Sequence, residues 1–240
     1  MLHKSYVVIA FAVLLIAGLG MLKSADRQGG SLSDEPVVDA KVARKAVRAV
    51  KAADALPIED VNSHVDKYIT RYTTGPGRLT TTRGLERART KRATAERIFA
   101  EEGVPAELVW LAQVESGWRV QAVSPAAAAG VWQFIPRTAQ RFGLHVEDGR
   151  DDRYNFEKQT RVAARYLKFL YDYYDGNWPL AIGAYNTGEE NMDRAIARSG
   201  GVKDFWTLRD RDLLHPETAE YVPKVLAASI VGPNAKKYGF

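Results

Sequence analysis

Apolar residues recur at helical spacing through this 240-residue chain from Pro57 to Val231, and Gly or Pro interrupts them at short intervals. No run alternates apolar and polar residues over strand length, so the pattern predicts an all-α fold of short helices. Pro57 can open a helix with Val61, Val65, Tyr68, Ile69 and Tyr72 on one face. Gly75-Pro76-Gly77 is expected to end that helix. Thr80 to Arg83 reads as a polar connection, and Leu85 to Glu102 as a helix turning Leu85, Ala88, Ala95, Ile98 and Phe99 inward. Pro136 to Phe142 reads as a short helix closed by Gly143. Phe156 to Tyr174 reads as a long one, with Val162, Ala163, Tyr166, Leu167, Leu170 and Tyr173 facing in. Three more are expected: from Pro179 to Gly188, from Glu189 to Ser199, and from Pro216 to Val231 with Pro223 inside. Phe205, Trp206 and Leu208 read as a packing cluster.

The chain has no Cys, which excludes a disulfide framework and a thiolate metal site. The four His, at 3, 64, 145 and 215, are too scattered for metal-ligand spacing. Asp148, Asp151 and Asp152 do not match an EF-hand, so Leu144 to Tyr154 is expected to be a turn with capping carboxylates. No metal site is expected. A net charge of +5 suits an anionic polymer or simple solubility, and is not read as nucleic-acid binding.

Before the helical region, His3 and Lys4 precede an apolar run from Tyr6 to Leu22. This reads as an export signal or a membrane anchor, since a span needs about 17–25 residues. Gly18 and Gly20 offer a weak cleavage pattern, and without Cys a lipoprotein anchor is excluded. Residues 1–25 are assigned to that segment. Residues 26–56 are assigned to a Gly/Ser-rich linker and a basic, Ala-rich helix.

The chemistry concentrates between Val104 and Pro136. Pro105 suits a first helical position, and Leu108, Leu111, Ala112 and Glu115 then share a face. Ser116-Gly117 stops that helix, so a carboxylate is expected in its last turn, on the apolar stripe. Partial burial and the negative end of the helix dipole both disfavour its ionised form. An acid kept protonated near neutral pH is what a general acid needs. A Glu that snorkels out at a helix end, or pairs with an Arg, is the plainer reading of that residue alone.

The residues that follow decide between them. Glu115-Ser116, Ser124, Gly130 and Gln133 stand at the spacing of the lytic transglycosylases with a soluble-transglycosylase-type (SLT) domain, glycoside hydrolase family 23. The stretch most resembles the membrane-bound D-type members. Their Ala-Tyr-Asn-x-Gly is matched by Ala184 to Gly188, and their Glu-Thr-x-x-Tyr-Val by Glu217 to Val222. The resemblance implies a lysozyme-like catalytic domain over 102–231, preceded by a helical preface over 57–101 and followed by a tail at 232–240. It implies a peptidoglycan lytic transglycosylase that cleaves the β-1,4 bond between N-acetylmuramic acid and N-acetylglucosamine and closes a 1,6-anhydro ring.

On that resemblance Glu115 is the single catalytic acid and base, and no metal or cofactor takes part. Ser124, Gln133, Tyr185, Asn186, Glu217 and Tyr221 are the implied substrate-binding residues. Trp132 suits either a core wedge or a cleft wall. A muramidase that hydrolyses the same bond, or a non-catalytic wall-binding module, are the alternatives. The partners implied are peptidoglycan glycan strands, the inner membrane through the N-terminal segment, and a secretion or cell-wall assembly partner. The compartment implied is the bacterial cell envelope, periplasmic or anchored in the inner membrane. Two departures stand out. Ala127 replaces a usual Gly or Asn, and Glu190 replaces a frequent second Gly. D-type members often carry glycan-binding repeats behind this domain, and none is visible up to Phe240, so wall attachment is expected from the cleft, the basic N-terminal region or a partner.

Overall fold

Asn62 starts the first helix of the described residues, its side chain accepting the N–H groups of His64 and Val65 at 3.1 and 3.2 Å. The computed structural model describes Leu56 and residues 62–240. The expected N-terminal signal or anchor, the linker, the basic helix, Pro57 and Val61 lie outside the described residues. Helix α1 (Ser63–Thr73) buries Val65 and Tyr68.

The next segment departs from the expectation. Gly75-Pro76-Gly77 opens a helix, α2 (Gly75–Ala88), and Thr80 to Arg83 lies within it. Proline fits a first turn because its missing N–H has no helical partner to lose. The hydroxyls of Thr81 and Thr82 return to the Gly77 and Arg78 carbonyls at 3.0 Å, which turns residues that compete with a helix into residues that tolerate one. The chain then breaks at Arg89 to Lys91, and α3 (Arg92–Glu101) buries Ala95, Ile98 and Phe99. Leu85 to Glu102 is therefore two helical pieces.

After Gly103, the expected helix from Pro105 is a 3₁₀ turn (Ala106–Trp110) running into a five-residue α4 (Leu111–Glu115). Pro105 precedes it in an extended conformation. Five successive residues, Leu108 to Ala112, are almost fully buried. A segment apolar on every side belongs in the middle of the molecule.

Helix α5 (Pro136–Arg141) is followed by a two-stranded ribbon, β1 (Val146–Glu147) and β2 (Arg150–Asp151), antiparallel with Val146 opposite Asp151. Two residues per strand are too few for alternation to show in a sequence. Asp152 accepts from Lys158 Nζ at 2.9 Å, Arg150 Nη2 at 3.4 Å and the His145 N–H at 3.2 Å.

A 3₁₀ turn (Asp152–Tyr154) leads into α6 (Phe156–Tyr173), where Asn155 accepts the Lys158 N–H at 3.1 Å. Tyr173 was expected inside but is 48% exposed, with its hydroxyl on Asp193 at 2.7 Å. Its polar tip finds a partner at the surface that the core does not offer. Then come α7 (Trp178–Thr187), α8 (Glu189–Arg198), α9 (Phe205–Asp210) and α10 (Pro216–Val231). Phe205 and Leu208 are fully buried, as their clustering suggested.

Helix α10 packs along α1 on one side and against α4 and α7 on the other, while α6 packs on α3 and α7. Between them Phe99 stacks on Trp132 at 5.1 Å, and Trp118 meets Trp132 and Trp110 edge-on. Such rings combine large buried area with fixed geometry. Among the described residues no helix is long and apolar enough to cross a membrane.

Candidate active site

Glu115 is the last residue of α4, and the chain turns sharply behind it. Gly117 and Trp118 have φ of 57° and 65°, and the Trp118 N–H returns to the Ala112 carbonyl at 3.1 Å. Buried Ser116 pins this turn. Its hydroxyl donates to the Val131 carbonyl at 2.9 Å and accepts the Arg119 N–H at 3.1 Å. The helix end is thereby fastened to the loop that carries Ser124 and Gln133.

Part of Glu115 is open to solvent, yet protein encloses its carboxyl. Desolvation raises its pKa from 4.5 to about 7, a hydrogen bond from Tyr221 pulls it down, and the negative charge of Glu217 pushes it up. Tyr221, from α10, donates its hydroxyl to Glu115 Oε1. Tyr185, near the end of α7, donates to the Trp132 carbonyl at 2.9 Å. Burial first, and then the charge of Glu115, hold both phenols well above their usual range. Two neutral hydroxyls thus flank an acid that is about half protonated at neutral pH.

A second cluster lies where the start of α10 meets the end of α7. Asn186 Nδ2 donates to Glu217 Oε1 at 3.3 Å, and Thr218 Oγ1 donates to Asn186 Oδ1 at 2.8 Å. Glu217 is exposed in the first turn of α10, and Tyr221 lies one turn further along. Gly188, φ 82°, ends α7 and lets the chain leave directly into α8. Glu190 sits exposed on the first turn of α8, so its presence does not disturb that exit.

The loop from Ser124 to Phe134 is tied to this region by Ser116 on the Val131 carbonyl and Tyr185 on the Trp132 carbonyl. The Ser124 N–H donates to the Ala128 carbonyl at 2.8 Å, and Ser124 Oγ accepts the Ala128 N–H at 3.1 Å. That leaves the hydroxyl proton to donate elsewhere. Gln133 Nε2 donates to the Gly130 and Ala122 carbonyls at 2.8 and 3.3 Å, so its side-chain carbonyl is the group it can offer. Ala127 and Gln133 both lie in the left-handed region, φ 58° and 51°. For Ala127 that costs about 1 kcal/mol relative to Gly. Gly130 has no alternative, because a Cβ there would lie 2.1 Å from the Arg153 carbonyl.

The structure joins Glu115, Tyr185 and Tyr221 on one side and Asn186 with Glu217 on another, and commits Ser124 and Gln133 to the loop itself. Trp132 is a core wedge: it is fully buried and its indole N–H donates to Thr160 Oγ1 at 3.0 Å. Reading the sequence missed Thr218, Arg153 and Gln159. Buried Gln159 accepts the Val131 and Trp132 N–H groups at 2.8 and 3.4 Å. Polar Gln159-Thr160 on the inward face of a long amphipathic helix was the available signal.

Residues 92–206 match the family model "Transglycosylase SLT domain". Over 142 residues, 58% of this chain, the sequence is 39% identical to membrane-bound lytic murein transglycosylase D of Escherichia coli K12. Over 121 residues, 49% of this chain, it is 28% identical to soluble lytic murein transglycosylase of Salmonella typhimurium LT2. The matched stretch spans only 30% of the first relative's length and 19% of the second's. Among solved structures, the 70-kDa soluble lytic transglycosylase of Escherichia coli superposes with a TM-score of 0.53 at 22% identity, over 60% of this chain and 24% of that one. Residues 92–206 thus match a transglycosylase SLT domain, and the all-α fold is lysozyme-like, similar to that of the lytic murein transglycosylases.

Proposed function

We propose that the chain is a peptidoglycan lytic transglycosylase with Glu115 as its single acid and base. The observation that carries this reading is a carboxyl with a pKa of about 7, hydrogen-bonded to a neutral Tyr221. A glycosidase that uses water ordinarily has a second carboxylate facing the first across the bond. The other carboxylate acting on Glu115 is Glu217, and it is bonded to Asn186.

In the proposed reaction, protonated Glu115 gives its proton to the glycosidic oxygen as the C1–O bond of the muramoyl residue breaks. The N-acetyl oxygen of that residue supports the developing cation. The Glu115 carboxylate then takes the proton of the muramoyl 6-hydroxyl, whose oxygen closes on C1. One proton leaves Glu115 and one returns, with no water consumed. Tyr221 steadies the carboxylate between the two transfers. Ser124, Gln133, Tyr185, Asn186 and Glu217 are assigned to the glycan, through hydroxyl, amide and carboxylate groups suited to sugar hydroxyls and N-acetyl groups.

Residues 102–231 are assigned to the catalytic domain and 57–101 to a preface that supports it. The apolar run from Tyr6 to Leu22 supports a place in the cell envelope, with the enzyme exported to the periplasm or held at the inner membrane. The test is mass analysis of the fragments released from purified wall sacculi by the full chain. Products lighter by one water than reducing-end fragments are expected. Reducing ends would reassign the protein as a hydrolase, and no fragments would leave it a wall-binding module.

A further inference from the structure

A buried cation lies beneath the Ser124–Phe134 loop, and the chemistry assigned above does not use it. The Arg153 side chain is 9% exposed. Its Nη1 donates to the Ala127 carbonyl at 2.7 Å and to the Phe134 carbonyl at 3.0 Å. Its Nε donates to Asp151 Oδ1 and Oδ2 at 3.0 and 3.1 Å, and its Nη2 to Oδ2 at 2.6 Å. The Asp151 carboxyl in turn accepts the Arg153 N–H at 3.0 Å, which fixes the pair on its own turn of chain. A buried guanidinium with unmet donors would be costly, and here every edge of the fork is used.

The two loop carbonyls it grips are not arbitrary. One belongs to Ala127, held left-handed without the freedom of Gly. The other belongs to Phe134, the residue after left-handed Gln133. Between them the loop passes so close to Arg153 that only Gly fits at 130. The strained arc is therefore held at its middle and at its far end by one side chain.

We propose that Arg153, oriented by Asp151, is a positioning residue that sets the shape of the Ser124–Gln133 wall and through it how tightly the cleft takes up glycan. It acts through Ser124 and Gln133 and touches neither sugar nor Glu115. This rests on the glycan-cleaving reading of the cleft. The Glu115 carboxyl answers to its burial, Tyr221 and Glu217 and not to Arg153, so binding and acid strength should separate.

The test compares the full chain with Arg153→Met, Arg153→Lys and Asp151→Asn. It measures KM, kcat, the pH profile and backbone amide exchange. Arg153→Met should raise KM on the order of 10-fold, as the loss of binding common to ground and transition state does. Its kcat and the pH midpoint should stay in place, and exchange should quicken between Ala127 and Phe134. Arg153→Lys should recover part of the KM, because an ammonium can reach one carbonyl but not serve both and the carboxylate fork. Should Arg153→Met not fold, Asp151→Asn carries the same expectation in smaller measure. A folded variant with wild-type KM, or one losing only thermal stability, would overturn the proposal. If the wild-type chain cleaves no glycan, the functional reading fails by itself. The exchange comparison then still decides, and an unaltered loop would overturn the clamp.

Discussion

Burial acts on Glu115 in one direction, and with Glu115 as the proposed acid that direction ties activity to instability. Its carboxyl titrates near 4.5 in the unfolded chain and at about 7 in the folded one. Below pH 4.5 both states hold the proton and folding is indifferent to it. As pH rises from 4.5 to 7 the unfolded chain gives up its proton first, so stability falls, and above 7 the full penalty stands. From the size of the shift that penalty is at most about 3 kcal/mol, less what the solvent-reachable part of the side chain recovers. Replacing Glu115→Gln keeps the shape and removes the charge. The variant should therefore melt above the wild type at pH 8 and near it at pH 4.5, by calorimetry at both values. Its wall-clearing rate should fall by about 10²–10⁴-fold, the usual contribution of a general acid. In the wild type kcat/KM should decline tenfold per pH unit above a midpoint of about 7, as the protonated fraction does. A midpoint near 4.5 would mean that the carboxyl meets bulk water.

At the scale of elements, the candidate site is made where α10 packs on α4 and α7. Glu217, Thr218 and Tyr221 fall on one side of α10, and Thr218 and Tyr221 reach Asn186 and Glu115 respectively. The Tyr221 hydrogen bond lowers the Glu115 pKa against the pull of burial. Tyr221→Phe should therefore move the alkaline limb of kcat/KM upward, in a pH profile taken on the same substrate, while the rate at its plateau falls. A limb that moves down would show the phenol to be stabilising the neutral acid. Sequence spacing was enough to place Glu115 at a helix end and to place Tyr185 and Asn186 near another, because Gly117 and Gly188 carry φ values that stop helices. It was not enough for α2. Three successive threonines and a Gly-Pro-Gly read as loop until their hydroxyls are seen returning to carbonyls one turn back. Nor could it show the hands beneath the loop. Arg153 and Gln159 serve backbone groups 19 to 28 residues away, and no local period records that.

At the scale of the whole molecule, the helices before residue 92 brace the same wall that carries the site. Glu220 stands next to Tyr221 on α10 and faces the other way, toward α1 and α9. It accepts from Tyr68 Oη at 2.7 Å, Lys67 Nζ at 3.0 Å and Arg209 Nη2 at 2.9 Å. Further along α10, Tyr72 Oη reaches the Lys224 carbonyl at 3.3 Å, and Ser229 Oγ the Glu107 carbonyl at 2.9 Å. The Tyr68 hydrogen bond, followed by Lys67 and Arg209, depresses the Glu220 pKa to about 2, while burial opposes. A depressed carboxyl stabilises above its unfolded value near 4.5 and loses that contribution as pH falls toward 2. Its side chain is 29% exposed, so screening reduces the effect to about 1–2 kcal/mol. Glu220→Gln should thus cost about that much stability at pH 7 and almost nothing at pH 2, where the wild-type carboxyl is itself half protonated, in denaturant melts at the two values. Because α10 is one continuous helix, loosening it on the α1 side should also reach the candidate site. The variant should lose some kcat at pH 6 while the midpoint set by Glu115 stays near 7, since Glu220 does not act on that carboxyl. A variant as stable as wild type at pH 7, with an unchanged acid limb of unfolding, would show that the Glu220 network contributes nothing to holding α1 on the domain.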